Sequence, residues 1–291
     1  MSAIPVNSVA ATDAASRNRS LGELLVISGY LKREKIDLVL FKQRRDGLMF
    51  GEAAIRLGLI SELQLEHTLL LQFGPFGIPK TAVGLDWSLH TAFNPFGVEA
   101  EAIRRLRSQL SLRWFSSDRK VLAIVGAHSG DGCSVLAANL AISYAQLGTR
   151  TMLIDANLRR PAQHTLFGVD MGRGLSSVLS HRTAVKDAII TLRAMPGLSL
   201  LCAGPTPPNP QELLAGYLFN HVMEVAQQSC DVVIVDTPAL LHSADAQLIA
   251  ARTGGCVLSL WRHRSSLDDI VKVKDLLAPT GVTLLGTVLN A

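Results

Sequence analysis

The sequence, 291 residues long, predicts an α/β fold: a doubly wound, mostly parallel sheet, preceded by a small all-helical N-terminal domain. Two observations carry this prediction. Beyond residue 120, short continuous apolar runs alternate with helical stretches, as in parallel strands that are covered on both faces. Ahead of them, residues 19–72 contain a repeat of period 29 with helical periodicity only.

Composition bounds the class of protein. Hydrophobic residues make up 48% of the chain and charged residues 18%, which excludes a disordered or collagen-like chain. No apolar run is long enough for a membrane-spanning helix, and the first residues do not read as a signal peptide. Four cysteines without C-x-x-C pairing favour a reduced, cytoplasmic protein.

The formal net charge of +4 lies in residues 1–120, with a basic stretch at 104–120. That stretch fits an anionic membrane, nucleic acid, an acidic subunit face or simply solvent.

Four segments are expected along the chain. Residues 1–18 lack apolar periodicity and read as a disordered tail. Residues 19–72 form the helical tandem repeat, in which Leu21-Gly22-Glu23 recurs as Phe50-Gly51-Glu52 and a turn glycine recurs 29 residues on. Residues 73–97, rich in Pro and Gly, read as a linker. Residues 98–291 form the sheet domain, opening with a basic helix.

Within the sheet domain the order of elements follows from the apolar pattern. Strands are predicted at 121–125, 151–154, 198–202, 232–235, 255–260 and 283–289. Helices are predicted at 134–147, 211–228, 243–251 and 266–277. Crossover helices of this length between apolar strands place consecutive strands parallel.

A glycine-rich loop follows the first strand. Gly130 and Gly132 let backbone N–H groups turn toward a phosphate, and the following helix adds its dipole. A hydroxyl at the position of Ser134 can ligate Mg²⁺. A full P-loop would carry Lys where this chain has Cys133, so an ordinary tight turn between strand and helix stays open.

Two aspartates end apolar strands. Asp155 follows the second strand and Asp236 follows the fourth. Carboxyl ends of parallel strands share one edge of the sheet, where ligands bind. A carboxylate there can hold Mg²⁺ or accept a proton. The alternative for each is a helix N-cap.

Over residues 98–291, the order, spacing and residues of these motifs resemble those of the bacterial tyrosine kinases of exopolysaccharide biosynthesis. These lie within the deviant-P-loop ATPases, which also include the partitioning ATPases. Glu101, Arg104 and Arg107 match the family's E-x-x-R-x-x-R self-association helix, which implies a homo-oligomer. With a helical repeat ahead of the kinase, the chain is similar to the chain-length-determinant tyrosine kinase of exosortase systems.

The resemblance implies roles for single residues. ATP phosphates would be held by the loop, and Mg²⁺ by Ser134, Asp155 and Asp236. Asp155 would organise the metal or act as base. Asn290 would lie near the adenine. The charge of the missing lysine would have to come from Arg159, from Arg160 or from an arginine of a neighbouring subunit. The full loop set is Gly130, Asp131, Gly132, Cys133, Ser134 and Val135.

The implied activity is that of a cytoplasmic, Mg-ATP-dependent protein-tyrosine kinase that regulates exopolysaccharide chain length, polymerisation and export. Its substrates would be protein tyrosines. Its partner would be a membrane-bound chain-length determinant protein, which would bring it to the inner membrane; no nucleic-acid partner is implied. The helical repeat resembles the N-terminal domain of type II secretion ATPases, some of which bind cyclic di-GMP. Those carry Arg where this chain has Ser20 and Met49, so docking to a protein is favoured.

Departures from the family keep two alternatives open. Cys133 removes a positive charge, and Asn157 replaces the second carboxylate of the family's D-x-D, so a catalytically impaired pseudokinase or scaffold is the first. A partitioning-type ATPase is the second. The tyrosine-rich tail of the family has no counterpart, and Tyr144 and Tyr217 read as core. A lowered pKa for Cys133 at a helix N-terminus, with a redox role, is a further alternative. The Trp261-Arg-His-Arg264 segment follows a strand and either caps a loop or contacts nucleotide or a partner.

Overall fold

The computed structural model describes residues 20–73, 84–192 and 194–290. The chain divides into two compact units after residue 79. The expected tail, residues 1–18, and residues 74–83 of the expected linker lie outside the described ranges. Each unit is described by itself below.

The first unit is a tandem of helix pairs. Its helices are α1 (Leu21–Ile27), α2 (Ile36–Asp46), α3 (Phe50–Arg56) and α4 (Glu62–Phe73), with a 3₁₀ turn at Arg33–Lys35. The turn glycines Gly29 and Gly58 have φ of 72° and 66°, which glycine adopts without strain. Ser20 caps α1: its hydroxyl accepts the Glu23 N–H at 3.3 Å, and the Glu23 carboxylate accepts the Ser20 N–H at 2.9 Å. Apolar side chains from both copies form one core.

The second unit is built on a seven-stranded sheet, in the order β3-β4-β2-β5-β1-β6-β7. All neighbours are parallel except β3 and β4, so the predicted doubly wound, mostly parallel sheet is confirmed. The strands are β1 (Val121–Gly126), β2 (Thr151–Asp155), β3 (Ile190–Thr191), β4 (Leu198–Leu201), β5 (Val232–Ala239), β6 (Gly255–Trp261) and β7 (Thr283–Asn290). All six strands predicted from the sequence are present, and the two-residue β3 was not foreseen.

Helices cover both faces of this sheet. They are α5 (His90–Phe93), α6 (Val98–Arg113), α7 (Cys133–Ala145), α8 (Gln163–Leu166), α9 (Leu175–Leu179), α10 (Val185–Ala188), α11 (Pro210–Ala215), α12 (Tyr217–Ser229), α13 (Asp245–Thr253) and α14 (Leu267–Leu277). Helix α7 is apolar nearly all round because it lies between the sheet and α6. No helix in the described ranges is long and apolar enough to cross a bilayer.

The expected linker differs from the observed structure in its second half. Residues 84–97 belong to the sheet unit and include α5, with Leu89 and Phe93 buried. Asn139 of α7 holds this segment: its Oδ1 accepts the Thr91 N–H at 2.8 Å, and its Nδ2 donates to the Ser88 carbonyl at 2.9 Å. A buried amide makes these contacts from 48 and 51 residues away, so the Pro and Gly content gave no sign of them.

Candidate active site

The loop between β1 and α7 has the backbone of a phosphate cradle. Gly130 and Gly132 have φ of 92° and 81°, a region that side-chain-bearing residues rarely adopt. Gly132 is also the N-cap of α7, so the first N–H groups of a 13-residue helix open toward the loop. Ser134 and Val135 lie in the first turn of that helix. A Cβ added to Gly132 would lie 2.7 Å from Asn290 Nδ2, so the loop also needs glycine for lack of space.

Three side chains fix the shape of this loop. The Asp131 carboxylate accepts the His128 N–H at 2.7 Å. The Asp131 carbonyl accepts the Ser259 hydroxyl at 2.6 Å and the Asn290 amide at 2.9 Å. Asp131 and Asn290 were both expected to bind nucleotide, and the structure places them in hydrogen bonds that hold the loop. The contact of Asn290 with adenine stays a prediction.

Asp155 and Asp236 lie side by side. They are register partners on the parallel strands β2 and β5, and both are fully buried. The Asp155 carboxylate accepts three backbone N–H groups, from Asn157 at 3.1 Å and from Ala162 and Gln163 at 3.0 Å each. The carboxyl ends of the central strands therefore bring the two predicted aspartates into one site.

Asp236 is less well satisfied. Its Oδ2 accepts the Gln163 side-chain N–H at 2.7 Å, and the nearby Ser134 hydroxyl and Thr237 N–H partly offset the rise in its pKa. Its Oδ1 is buried and has no hydrogen-bond partner. Gln163 donates further to the Ser134 carbonyl at 3.1 Å. This one amide thus ties the second aspartate to the start of α7.

Burial dominates the electrostatics of the pair. Loss of solvent raises the pKa of both carboxyls, and the neighbouring charge of Asp155 raises the pKa of Asp236 further. Asp155 has three N–H donors that favour its charged form, whereas Asp236 has an unpaired oxygen. We infer that, without a cation, the pair shares a proton that resides mainly on Asp236.

The donor set fits Mg²⁺. Carboxylate and hydroxyl oxygens are the ligands that this cation prefers, completed by water and phosphate oxygens. Ser134, Asp155 and Asp236 supply such oxygens next to the loop, and the unpaired Oδ1 of Asp236 is a buried acceptor that a cation would satisfy.

The structure contradicts the alternative in which Cys133 has a low pKa. Burial raises the pKa of its thiol well above the ordinary value, and the charges of Asp236 and Asp131 raise it further. Its Sγ lies 2.5 Å from where a Cβ on Gly126 would stand, so the side chain packs beneath the loop. The effects of desolvation and adjacent carboxylates exceed that of the helix dipole. Cys133 is therefore a neutral thiol at neutral pH, and the redox role loses its basis.

The remaining predicted side chains are engaged within the chain. Arg159 binds Asp245, a fully buried carboxylate of α13, at 2.7 and 3.2 Å. Arg104 pairs with Glu101 at 2.7 Å and donates to the Pro95 carbonyl. Arg107 donates to the Ser143 carbonyl at 2.7 Å. Their proposed roles in catalysis and self-association stay predictions.

The fold and this site define a class of protein, the P-loop α/β domains. The cell division ATPase MinD of Pyrococcus furiosus superposes with a TM-score of 0.52 at 25% identity, covering 59% of this chain and 71% of MinD. The kinase domain of the Escherichia coli tyrosine kinase Etk superposes with a TM-score of 0.66 at 31% identity, covering 68% of this chain and 77% of that domain.

Comparison with a protein of related sequence identifies the family within this class. The tyrosine-protein kinase YwqD of Bacillus subtilis is 35% identical over 196 residues, which are 67% of this chain and 82% of YwqD. No family model matches the chain. The chain belongs to the bacterial tyrosine-kinase family.

Two features were not found from the sequence, one in the site and one on α12. Gln163 lies among polar residues after Pro161, with nothing in the local pattern to mark it. Tyr217 was expected in the core and is 71% exposed. It is the first residue of α12 and lies off the face formed by Phe219, Val222 and Met223, which are buried.

Proposed function

We propose that the chain is a Mg-ATP-dependent protein-tyrosine kinase that acts on the exopolysaccharide machinery. The observation that carries this proposal is the convergence of the glycine-rich loop, Asp155 and Asp236 at one edge of the sheet, tied together by Gln163. Family membership supplies the reaction class.

In this proposal the loop N–H groups bind the ATP phosphates. Ser134, Asp155 and Asp236 hold Mg²⁺, which when bound offsets the negative charge that develops during phosphoryl transfer. Asp155 organises the metal, because three backbone N–H donors hold its carboxylate in one fixed orientation next to the loop. Asp236 gives up its proton when the cation binds.

The wider setting follows from the family resemblance and is part of the same proposal. The kinase would phosphorylate protein tyrosines and thereby regulate exopolysaccharide chain length, polymerisation and export. A membrane-bound chain-length determinant protein would bind it, activate it and bring it to the inner membrane. The helical repeat unit would dock to a partner protein.

One observation favours a second candidate, a pseudokinase scaffold. Cys133, at the place of the P-loop lysine, is a neutral, largely buried thiol. It supplies no charge to the phosphates, and loss of such a contact costs on the order of 2–4 kcal/mol in the barrier.

Phosphotransfer with labelled Mg-ATP separates the two candidates. The full chain is incubated with and without the cytoplasmic tail of the candidate membrane partner, beside Asp155→Asn and Cys133→Lys. Phosphotyrosine that disappears in Asp155→Asn supports the kinase. ATP binding without transfer by the unchanged chain, together with transfer by Cys133→Lys, supports the pseudokinase.

A further inference from the structure

The loop lacks its lysine, yet two guanidinium groups lie beside it. Arg160 donates from Nη1 to the Ser129 hydroxyl at 3.2 Å. Arg264 lies with Nη1 3.5 Å from the Gly130 carbonyl. A Cβ added to Gly130 would lie 3.1 Å from Arg264 Nη2. The two side chains therefore reach adjacent residues of the loop, Ser129 and Gly130.

The topology explains why Arg264 is there. In the parallel pairing of β1 and β6, Gly126 is the partner of Ser259, so β6 runs on beside the loop after β1 has ended. The chain then turns tightly: the Arg264 and Ser265 N–H groups donate to the Trp261 carbonyl at 3.1 and 3.0 Å. Trp261 itself lies against the loop, 3.5 Å from a Cβ added to Gly132.

Arg160 comes from the opposite side. It follows Asp155 on the segment after β2, and its N–H donates to the Asn157 side-chain oxygen at 3.1 Å. Asn157, which replaces a family carboxylate, thus shapes the turn that presents Arg160. The adjacent Arg159 is directed elsewhere, because its Nε and Nη2 donate to the buried carboxylate of Asp245.

The site needs a source of positive charge to bind the phosphates of ATP. The site holds two buried aspartates, and Cys133 is neutral, so a triphosphate would meet no side-chain cation from the loop itself. We propose, on the basis of the proposed function, that Arg264 and Arg160 together provide the positive charge for the terminal phosphates of ATP, in place of the P-loop lysine. Guanidinium suits this role because it stays charged and can hold two phosphate oxygens at once.

Equilibrium binding of ATP and AMP to the full chain, with Mg²⁺, tests this inference. The variants are Arg264→Gln, Arg160→Gln, the double variant and the conservative Arg264→Lys. The matched control is Arg113→Gln, an exposed arginine in the last turn of α6. Arg113 suits as a control because this end of α6 lies away from the loop: Ser111, two residues earlier, contacts Tyr144, which lies at the far end of α7 from the loop.

Each single Gln variant is expected to weaken ATP binding about tenfold, and the double variant further, as for loss of charge-assisted hydrogen bonds. AMP affinity should change less than about twofold, since AMP lacks the terminal phosphates. Arg264→Lys should retain most of the affinity for ATP because it keeps the charge. Because both arginines are exposed, the loss should shrink at high salt.

Two results would overturn the inference. One is ATP affinity in the double variant equal to that of the Arg113→Gln control. The other is an equal loss for ATP and AMP, which would indicate that the arginines only shape the loop. Failure of the unchanged chain to bind ATP would overturn the proposed function and this inference together.

Discussion

Replacing Asp236 with Asn removes a buried charge from the fold without changing the shape of the side chain. The carboxylate is fully buried beside Asp155, and its Oδ1 has no hydrogen-bond partner. Because burial and the charge of Asp155 raise its pKa, the folded protein binds this proton more tightly than the unfolded chain, whose Asp titrates near pH 4. The contribution of Asp236 to the free energy of unfolding is therefore full below about pH 4 and is lost as pH rises through its raised pKa in the folded protein.

Asp236→Asn stays neutral at every pH. Without metal or nucleotide, we expect the variant to be more stable than the unchanged chain by about 1–3 kcal/mol at pH 8, because it removes the cost of a second buried negative charge beside Asp155. The difference should shrink steadily toward pH 4, where both side chains are neutral. Urea unfolding at several pH values, followed by circular dichroism, measures it.

Asp231→Asn is the control, since it makes the same chemical change at the start of the same strand. Asp231 is bound to Arg150 at 2.6 Å, and this hydrogen bond lowers its pKa. We therefore expect that Asp231→Asn does not stabilise the protein at any pH. A variant Asp236→Asn that is less stable than the unchanged chain at pH 8, or a difference that does not vary with pH, would refute the reasoning about the buried pair.

Three further outcomes are expected. Arg159→Gln should lower the free energy of unfolding, measured in urea, by about 2 kcal/mol, because it leaves the buried Asp245 carboxylate without its ion-pair partner. Adding Asp245→Asn should restore part of that loss. A single Arg159→Gln variant as stable as the unchanged chain would contradict a stabilising ion pair. Cys133 should react with a thiol reagent at pH 8 far more slowly than a cysteine peptide, because burial raises its pKa, and rapid labelling of this site by peptide mapping would count against it. Within the sheet unit, self-phosphorylation should fall on the exposed Tyr217 and not on Tyr144, whose hydroxyl donates to the Arg107 carbonyl at 3.1 Å; mass spectrometry that finds Tyr144 phosphorylated would contradict this.

The sheet and the aspartate pair could be predicted from the sequence because both depend on local patterns. Apolar runs mark parallel strands whatever lies elsewhere in the chain. Asp155 and Asp236 each follow such a run, and parallel pairing then brings strand ends together. The confirmed strands and the register of these two aspartates follow from that rule.

What escaped prediction depends on contacts between residues far apart in the chain. The packing of residues 84–97 rests on Asn139, and the tie between the aspartates and α7 rests on Gln163. The sequence alternative of a lowered pKa for Cys133 was wrong in direction, because it took only the helix N-terminus into account. The burial of the thiol, which raises its pKa most, and the approach of Asp236 arise only when the sheet folds.

Calorimetric titration of ATP into the full chain, with and without Mg²⁺, tests the central claim that the loop and the two aspartates form one nucleotide site. The account predicts binding that requires Mg²⁺ for full affinity and that weakens about tenfold or more in Asp155→Asn and in Asp236→Asn, the latter despite its greater stability. ATP binding of equal strength with and without Mg²⁺, unchanged in both variants, would contradict it.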